Sequence, residues 1–133
     1  MITYSSILLL EDDPDDQDLF LDIIKEISPD TPIDVAIARH GAEGLLLLQE
    51  KTPEIIFSDV NMPVMDSFQF ALALHDNFPS LKIPIVMMST ANLRRDIAYA
   101  EFLNIFHFIQ KQNTREEMKG KILEALVMLF PGG

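Results

Sequence analysis

Five short apolar runs alternate with five helical patterns along this chain, and that alternation constrains its fold more than any other feature. The apolar runs occupy residues 6–11, 33–38, 54–59, 83–89 and 105–110. Apolar residues at helical spacing fill the intervals, near 15–27, 41–51, 67–77, 93–103 and 115–130. Strict alternation of this kind predicts a parallel sheet with helices on both faces. In the first helix Leu19, Phe20, Ile23, Ile24 and Ile27 form one apolar stripe. Asp13 before Pro14 fits an N-cap followed by proline at the first helical position. Thr114 and Glu117 have the spacing of a capping box at the start of the last helix. The five strand–helix pairs are expected to fill 1–133 as one domain, leaving no residues for a second domain, and no repeat or long linker is visible.

A chain of 133 residues with 48% apolar content can bury a sizeable core, so disorder is not expected. Its net charge of -11 argues against nonspecific binding to nucleic acid or anionic membrane. Without cysteine, disulfides and thiolate metal sites are excluded. No apolar run approaches the roughly 20 residues that cross a bilayer. The first residues lack the basic-then-apolar order of a secretory signal, so the expected location is cytoplasmic.

In an open parallel sheet, ligands bind beyond the carboxyl ends of the strands. Those ends carry chemistry here. The run Ile7-Leu8-Leu9-Leu10 stops at Glu11 and Asp12. Ile55-Ile56-Phe57 is followed by Ser58-Asp59-Val60-Asn61-Met62-Pro63-Val64-Met65-Asp66. Thr90 and Lys111 close the fourth and fifth runs. Three carboxylates in one pocket are costly unless a cation neutralises them, and hard oxygen donors suit magnesium. Asp59 is the candidate nucleophile, since a carboxylate attacking phosphorus gives an aspartyl phosphate. Such a transfer needs in-line positioning and neutralised phosphoryl oxygens; Lys111 offers a point charge and Thr90 a hydrogen bond. Each residue also has a plainer reading. Glu11 and Asp12 can solvate a strand end, Thr90 can bond the backbone, and Lys111 can be a surface lysine. Asp13 is the alternative metal ligand, although Pro14 makes it the natural N-cap. Asp15 and Asp16 read as a solvated helix start that favours the dipole. His40, His75 and His107 fall on a loop, a helix surface and a strand, and no chemistry is assigned to them. Gly41 and Gly44 do not form a phosphate loop.

The segments Leu10-Glu11-Asp12-Asp13-Pro14, Asp59 to Asp66, Ser89-Thr90-Ala91 and Phe108-Ile109-Gln110-Lys111 resemble, in order, the receiver domain of two-component response regulators. The resemblance covers nearly the whole chain. It implies a flavodoxin-like doubly wound (βα)5 sandwich with the five strands in the order 2-1-3-4-5. It implies that Asp59 accepts a phosphoryl group from a histidine kinase or histidine phosphotransfer protein. Asp12 and Asp59 would bind magnesium directly, Glu11 through water, and Asn61 through its backbone carbonyl. Thr90 and Phe108 would form the switch, with the aromatic ring turning inward behind Thr90. The protein would be a stand-alone signalling phosphoacceptor, not an enzyme beyond its own phosphorylation and dephosphorylation. Its output would be contact with a downstream protein target or onward transfer in a phosphorelay. The alternative is an interaction module of the same fold that works without phosphorylation. An aspartate-nucleophile phosphatase is disfavoured because Asn61 stands where a second acid is expected. A flavin protein is disfavoured by the missing tryptophan and phosphate loop.

Two positions depart from the family pattern. Ser67 stands where glycine is usual, which bears on the shape of the preceding loop. Gln112 follows Lys111 where proline is usual, so a trans peptide bond and a different loop are expected. In the last helix Met118, Ile122, Leu126 and Leu129 form a core stripe. Leu123, Val127 and Phe130 form a second one, read either as part of a broad core face or as an interaction patch. The latter reading predicts a homodimer through the fourth helix, fifth strand and fifth helix, with Arg94, Arg95 and Tyr99 as a polar rim. Leu45 to Leu48 are explained by a buried helix.

Overall fold

The computed structural model describes residues 6–60, 62, 64–90 and 105–129. In chain order the described elements are β1 (Ser6–Leu10), α1 (Pro14–Ile27), β2 (Asp34–Ala38), α2 (Gly41–Glu50), β3 (Ile55–Asp59), α3 (Ser67–Asn77), β4 (Ile85–Ser89), β5 (His107–Gln110) and α4 (Arg115–Leu129). Here α4 is the last of the five expected helices. The helix expected at 93–103, with Arg94, Arg95 and Tyr99, lies outside the described residues.

The strands pair in parallel in the order β2-β1-β3-β4-β5, a flavodoxin-like doubly wound sheet. Their sequences explain their places. Every residue of β1, β3 and β4 is buried, as continuous apolar runs in central parallel strands require. β2, Asp-Val-Ala-Ile-Ala, alternates exposed and half-buried positions over most of its length and lies on an edge. β4 begins at Ile85, two residues inside its apolar run, because Pro84 has no N–H to donate to the ladder.

Successive strand residues point to opposite faces and build two cores. Ile7 and Leu9 join Phe57, Phe20 and Ile23 of α1, and Met118, Ile122 and Leu126 of α4. Phe20 and Phe57 meet with ring centroids 5.1 Å apart. Leu8 and Leu10 join the other core with Leu48 of α2 and with Phe70 and Leu74 of α3. Ala125, absent from the expected stripe, is buried in the first core. Across the outer edges of α1 and α4, Glu26 forms ion pairs with Arg115 (2.5 Å) and Lys119 (2.6 Å).

Caps set the helix starts. Asp13 accepts the Asp15 N–H at 2.9 Å, with Pro14 following, as its sequence suggested. Thr114 accepts the Glu117 N–H at 3.2 Å and donates to the Glu117 carboxylate at 2.9 Å. Two caps were not anticipated. Asp66 and Gln69 form a complete capping box on α3, and the His40 side chain accepts the Glu43 N–H at the start of α2.

Candidate functional site

The ladder extends one residue beyond several strand ends, and this fixes the backbone under the candidate site. The Glu11 N–H donates to the Ala38 carbonyl at 2.9 Å, and the Lys111 N–H to the Ser89 carbonyl at 2.7 Å. β1 pairs Leu10 with Ser58 of β3, so Glu11 and Asp59 emerge side by side at the switch point of the sheet. The Glu11 carbonyl also accepts a 2.7 Å bond from the Gln17 side chain in α1.

Carboxylate oxygens of Glu11, Asp12 and Asp59 lie within 4.8 Å of one another. Glu11 and Asp59 are buried, whereas Asp12 is exposed. Asp13 does not join this group; its carboxylate is used as the α1 cap. The donor set is all oxygen, tightly spaced and short of positive charge, which fits a hard divalent cation. Asn61, whose carbonyl the resemblance adds to this set, lies outside the described residues.

Lys111 reaches the acids from the end of β5. Its Nζ lies 3.0 Å from Glu11 Oε1, 3.2 Å from Asp16 Oδ2 and 3.5 Å from Asp59 Oδ1. Burial works against its charge, but Asp59, Glu11 and Asp16 outweigh that cost and hold its pKa above the ordinary lysine range. Burial pushes the Glu11 carboxyl up to about 7; the Lys111 ammonium opposes the shift and the Asp59 carboxylate adds to it.

Asp16 corrects the sequence reading, which left it as a solvated helix start. It is an ion-pair partner of Lys111, 95 residues away, and no local pattern announces such a contact. The two departures from the family pattern are also accommodated. Among the described residues no peptide bond is cis, so Gln112 follows Lys111 in the trans form; its side chain donates to the Gln110 carbonyl at 2.6 Å. Ser67 is the first residue of α3, where helical backbone needs no glycine, and its N–H donates to the Val60 carbonyl at 3.3 Å. Its hydroxyl is buried without a hydrogen-bond partner. The left-handed backbone in this loop falls instead at Val64 (φ 67°).

The remaining expected residues are placed as follows. Thr90 is exposed directly after β4. Phe108 is half-buried in β5 against the α2–α3 core. On α4, Leu123 is half-buried and Val127 is 53% exposed. Phe130 lies outside the described residues. The site thus brings together Glu11, Asp12, Asp59, Lys111 and, unexpectedly, Asp16.

A doubly wound parallel sheet in this order, with clustered carboxylates and a lysine at its carboxyl edge, is the architecture of a receiver domain. The family model for the response regulator receiver domain matches residues 7–123, and the chain belongs to that family, which serves two-component signalling. It is similar to Protein PilG of Pseudomonas aeruginosa, 28% identical over 89 residues that cover 67% of this chain and 66% of that protein. It is also similar to a probable C4-dicarboxylate response regulator, DctR, of Halalkalibacterium halodurans, 25% identical over 89% of this chain and 50% of that one. The chain thus spans about half to two thirds of the length of these curated relatives. Two solved structures share the fold. The Mn(2+)-bound form of response regulator Rcp1 has a TM-score of 0.81 at 20% identity, covering 97% of this chain and 96% of that one. The phosphorylated cyanobacterial phytochrome response regulator RcpA has a TM-score of 0.82 at 21% identity, covering 98% and 96%. Among the described residues no helix is long and apolar enough to cross a membrane.

Proposed function

We propose that this receiver domain takes a phosphoryl group onto Asp59 from the phosphohistidine of a histidine kinase or phosphotransfer protein. An Asp59 carboxylate oxygen attacks phosphorus, the nitrogen–phosphorus bond breaks, and its electron pair returns to the donor imidazole. The product is an acyl phosphate on Asp59. The observation that carries this reading is the placement of Lys111 Nζ 3.5 Å from Asp59 Oδ1, beside the clustered oxygens of Glu11 and Asp12. Lys111 is positioned to neutralise a phosphoryl oxygen, and Thr90, at the next strand end, to donate a hydrogen bond to another. Glu11, Asp12 and Asp59 would hold magnesium, with the Asn61 carbonyl as a further ligand. Magnesium, when bound, supplies the remaining neutralisation of the phosphoryl oxygens. The manganese in Rcp1 and the phosphorylation of RcpA support both parts of the reading.

The chain would turn over only its own phosphoryl group. Its output would be protein contact or relay of the phosphoryl group, with Thr90 and Phe108 connecting Asp59 to the β5 edge. The exposed Val127 on α4, beside the half-buried Leu123, supports a homodimer through this region. The direct test is incubation with acetyl phosphate and magnesium, followed by intact mass. The expected result is one labile phosphoryl adduct that is absent from Asp59→Asn. An unmodified protein would leave the phosphorylation-independent interaction module as the function.

A further inference from the structure

Lys111 has three anionic partners, and they are not equivalent. Glu11 and Asp59 belong to the convergent oxygen cluster at the strand ends. Asp16 does not. It comes from the first turn of α1, and its side chain is 41% exposed, against 3% and 11% for Glu11 and Asp59. A cation or phosphoryl group arriving at the cluster would engage the oxygens of Glu11 and Asp59, whereas the charge of Asp16 stays available to Lys111. The backbone of Lys111 is fixed by its 2.7 Å bond to Ser89, so only the four-carbon side chain can move. That side chain has room: a cavity of about 60 Å³ lies between α1 and α4, with Leu19, Phe20, Met88 and Ile122 in its wall and Asp16, Glu11 and Lys111 at its polar end. Asp59 does not line it.

We infer that Asp16 is a positioning residue that holds Lys111 at a resting place on the α1 side and competes with the Asp59 phosphoryl group for it. This rests on the phosphoacceptor reading of Asp59. When the phosphoryl group forms, the Lys111 ammonium exchanges its Asp16 contact for a phosphoryl oxygen. The strength of the Asp16 contact then sets how firmly the phosphorylated arrangement is held. Half-exposed ion pairs are worth up to about 1 kcal/mol, so releasing Lys111 changes the binding of a phosphoryl mimic by roughly two- to fivefold.

The test uses beryllofluoride with saturating magnesium as the mimic and follows the Lys111 ε-methylene resonance by NMR. Asp16→Asn should tighten beryllofluoride binding about two- to fivefold. It should also shift the Lys111 resonance in the mimic-free protein. Asp16→Glu should restore both values. Asp15→Asn removes the same charge from the same helical turn without touching Lys111, and should change neither. Asp16→Asn behaving like Asp15→Asn, weakening the mimic, or leaving the Lys111 resonance in place would overturn the role of Asp16. Failure of the unaltered protein to bind beryllofluoride would overturn the phosphoacceptor reading and this inference together.

Discussion

Glu11 is the residue whose chemistry most depends on its surroundings. Its pKa rises on folding from 4.5 to about 7, chiefly through burial. A carboxyl shifted this way binds more protons folded than unfolded between those two values. Its contribution therefore favours the fold most below pH 4.5 and is lost as pH rises through about 7. The cost of ionising it in the metal-free protein is on the order of 3 kcal/mol. The substitution Glu11→Gln should flatten that part of the pH dependence; thermal melts of both proteins in chelator between about pH 4 and 8, which spans the window of the shift, check this. Magnesium requires the ionised carboxylate, so its affinity should rise over the same range, read by calorimetry. Asp12 and Asp13 differ just as sharply. Asp12→Ala should weaken magnesium binding and slow phosphorylation, because Asp12 belongs to the oxygen cluster. Asp13→Ala should instead lower stability by about 1 kcal/mol through loss of the α1 cap, read by urea denaturation. If Asp13→Ala impairs metal binding more, the assignment of the acid pair is displaced by one residue. The strand-end acids were legible from the sequence because an apolar run stopped at them. Asp16 was not, because its meaning depends on Lys111, which only the closed sheet brings to it.

At the scale of elements, the loop after Asp59 is held from the side by α2. The Gly41 N–H donates to the Met65 carbonyl at 3.1 Å. A Cβ at Gly41 would lie 2.7 Å from Met65 Cγ and 3.0 Å from Phe70 Cβ. Relieving that contact is expected to displace Met65, which belongs to the segment that follows Asp59. Gly41→Ala should therefore cost about 1–3 kcal/mol by overpacking. It should also alter the rate of acetyl phosphate labelling, whereas Gly120→Ala, where nothing lies within 4 Å, should not. Equal labelling rates in the two variants would uncouple α2 from the loop. The described helices and strands were readable from period and caps, since Pro14, Asp13, Thr114 and the apolar runs act locally. The role of Gly41 was hidden, because a glycine needed for close approach looks in sequence like any other glycine. Ser67 bore on the shape of the preceding loop; it is the first residue of a regular helix, and the left-handed residue of that loop is Val64.

At the scale of the whole molecule, sheet order follows from packing that alternation alone does not specify; the family resemblance supplied it. What the alternation did specify is that strand ends meet on one edge, and that edge carries Glu11, Asp12, Asp59 and Lys111, with Asp16 reaching them from the first turn of α1. The opposite question is what the outer surface contacts. Val127 and Met128 are 53% and 50% exposed on α4. A C2 pair would bury the same patch on both copies. Sedimentation with beryllofluoride and magnesium should detect a dimer that Val127→Glu converts to a folded monomer; a monomer in every condition would make the patch a docking site for another protein or ordinary surface. The central claim is narrower than any of these: a phosphoryl group is carried by Asp59. Borohydride reduces an acyl phosphate to an alcohol and would leave homoserine at the modified aspartate. After acetyl phosphate and magnesium treatment, peptide mapping should find homoserine at position 59 and at no other acid of the chain. Homoserine at Asp12, Asp13 or Asp16, or none anywhere, would contradict the account.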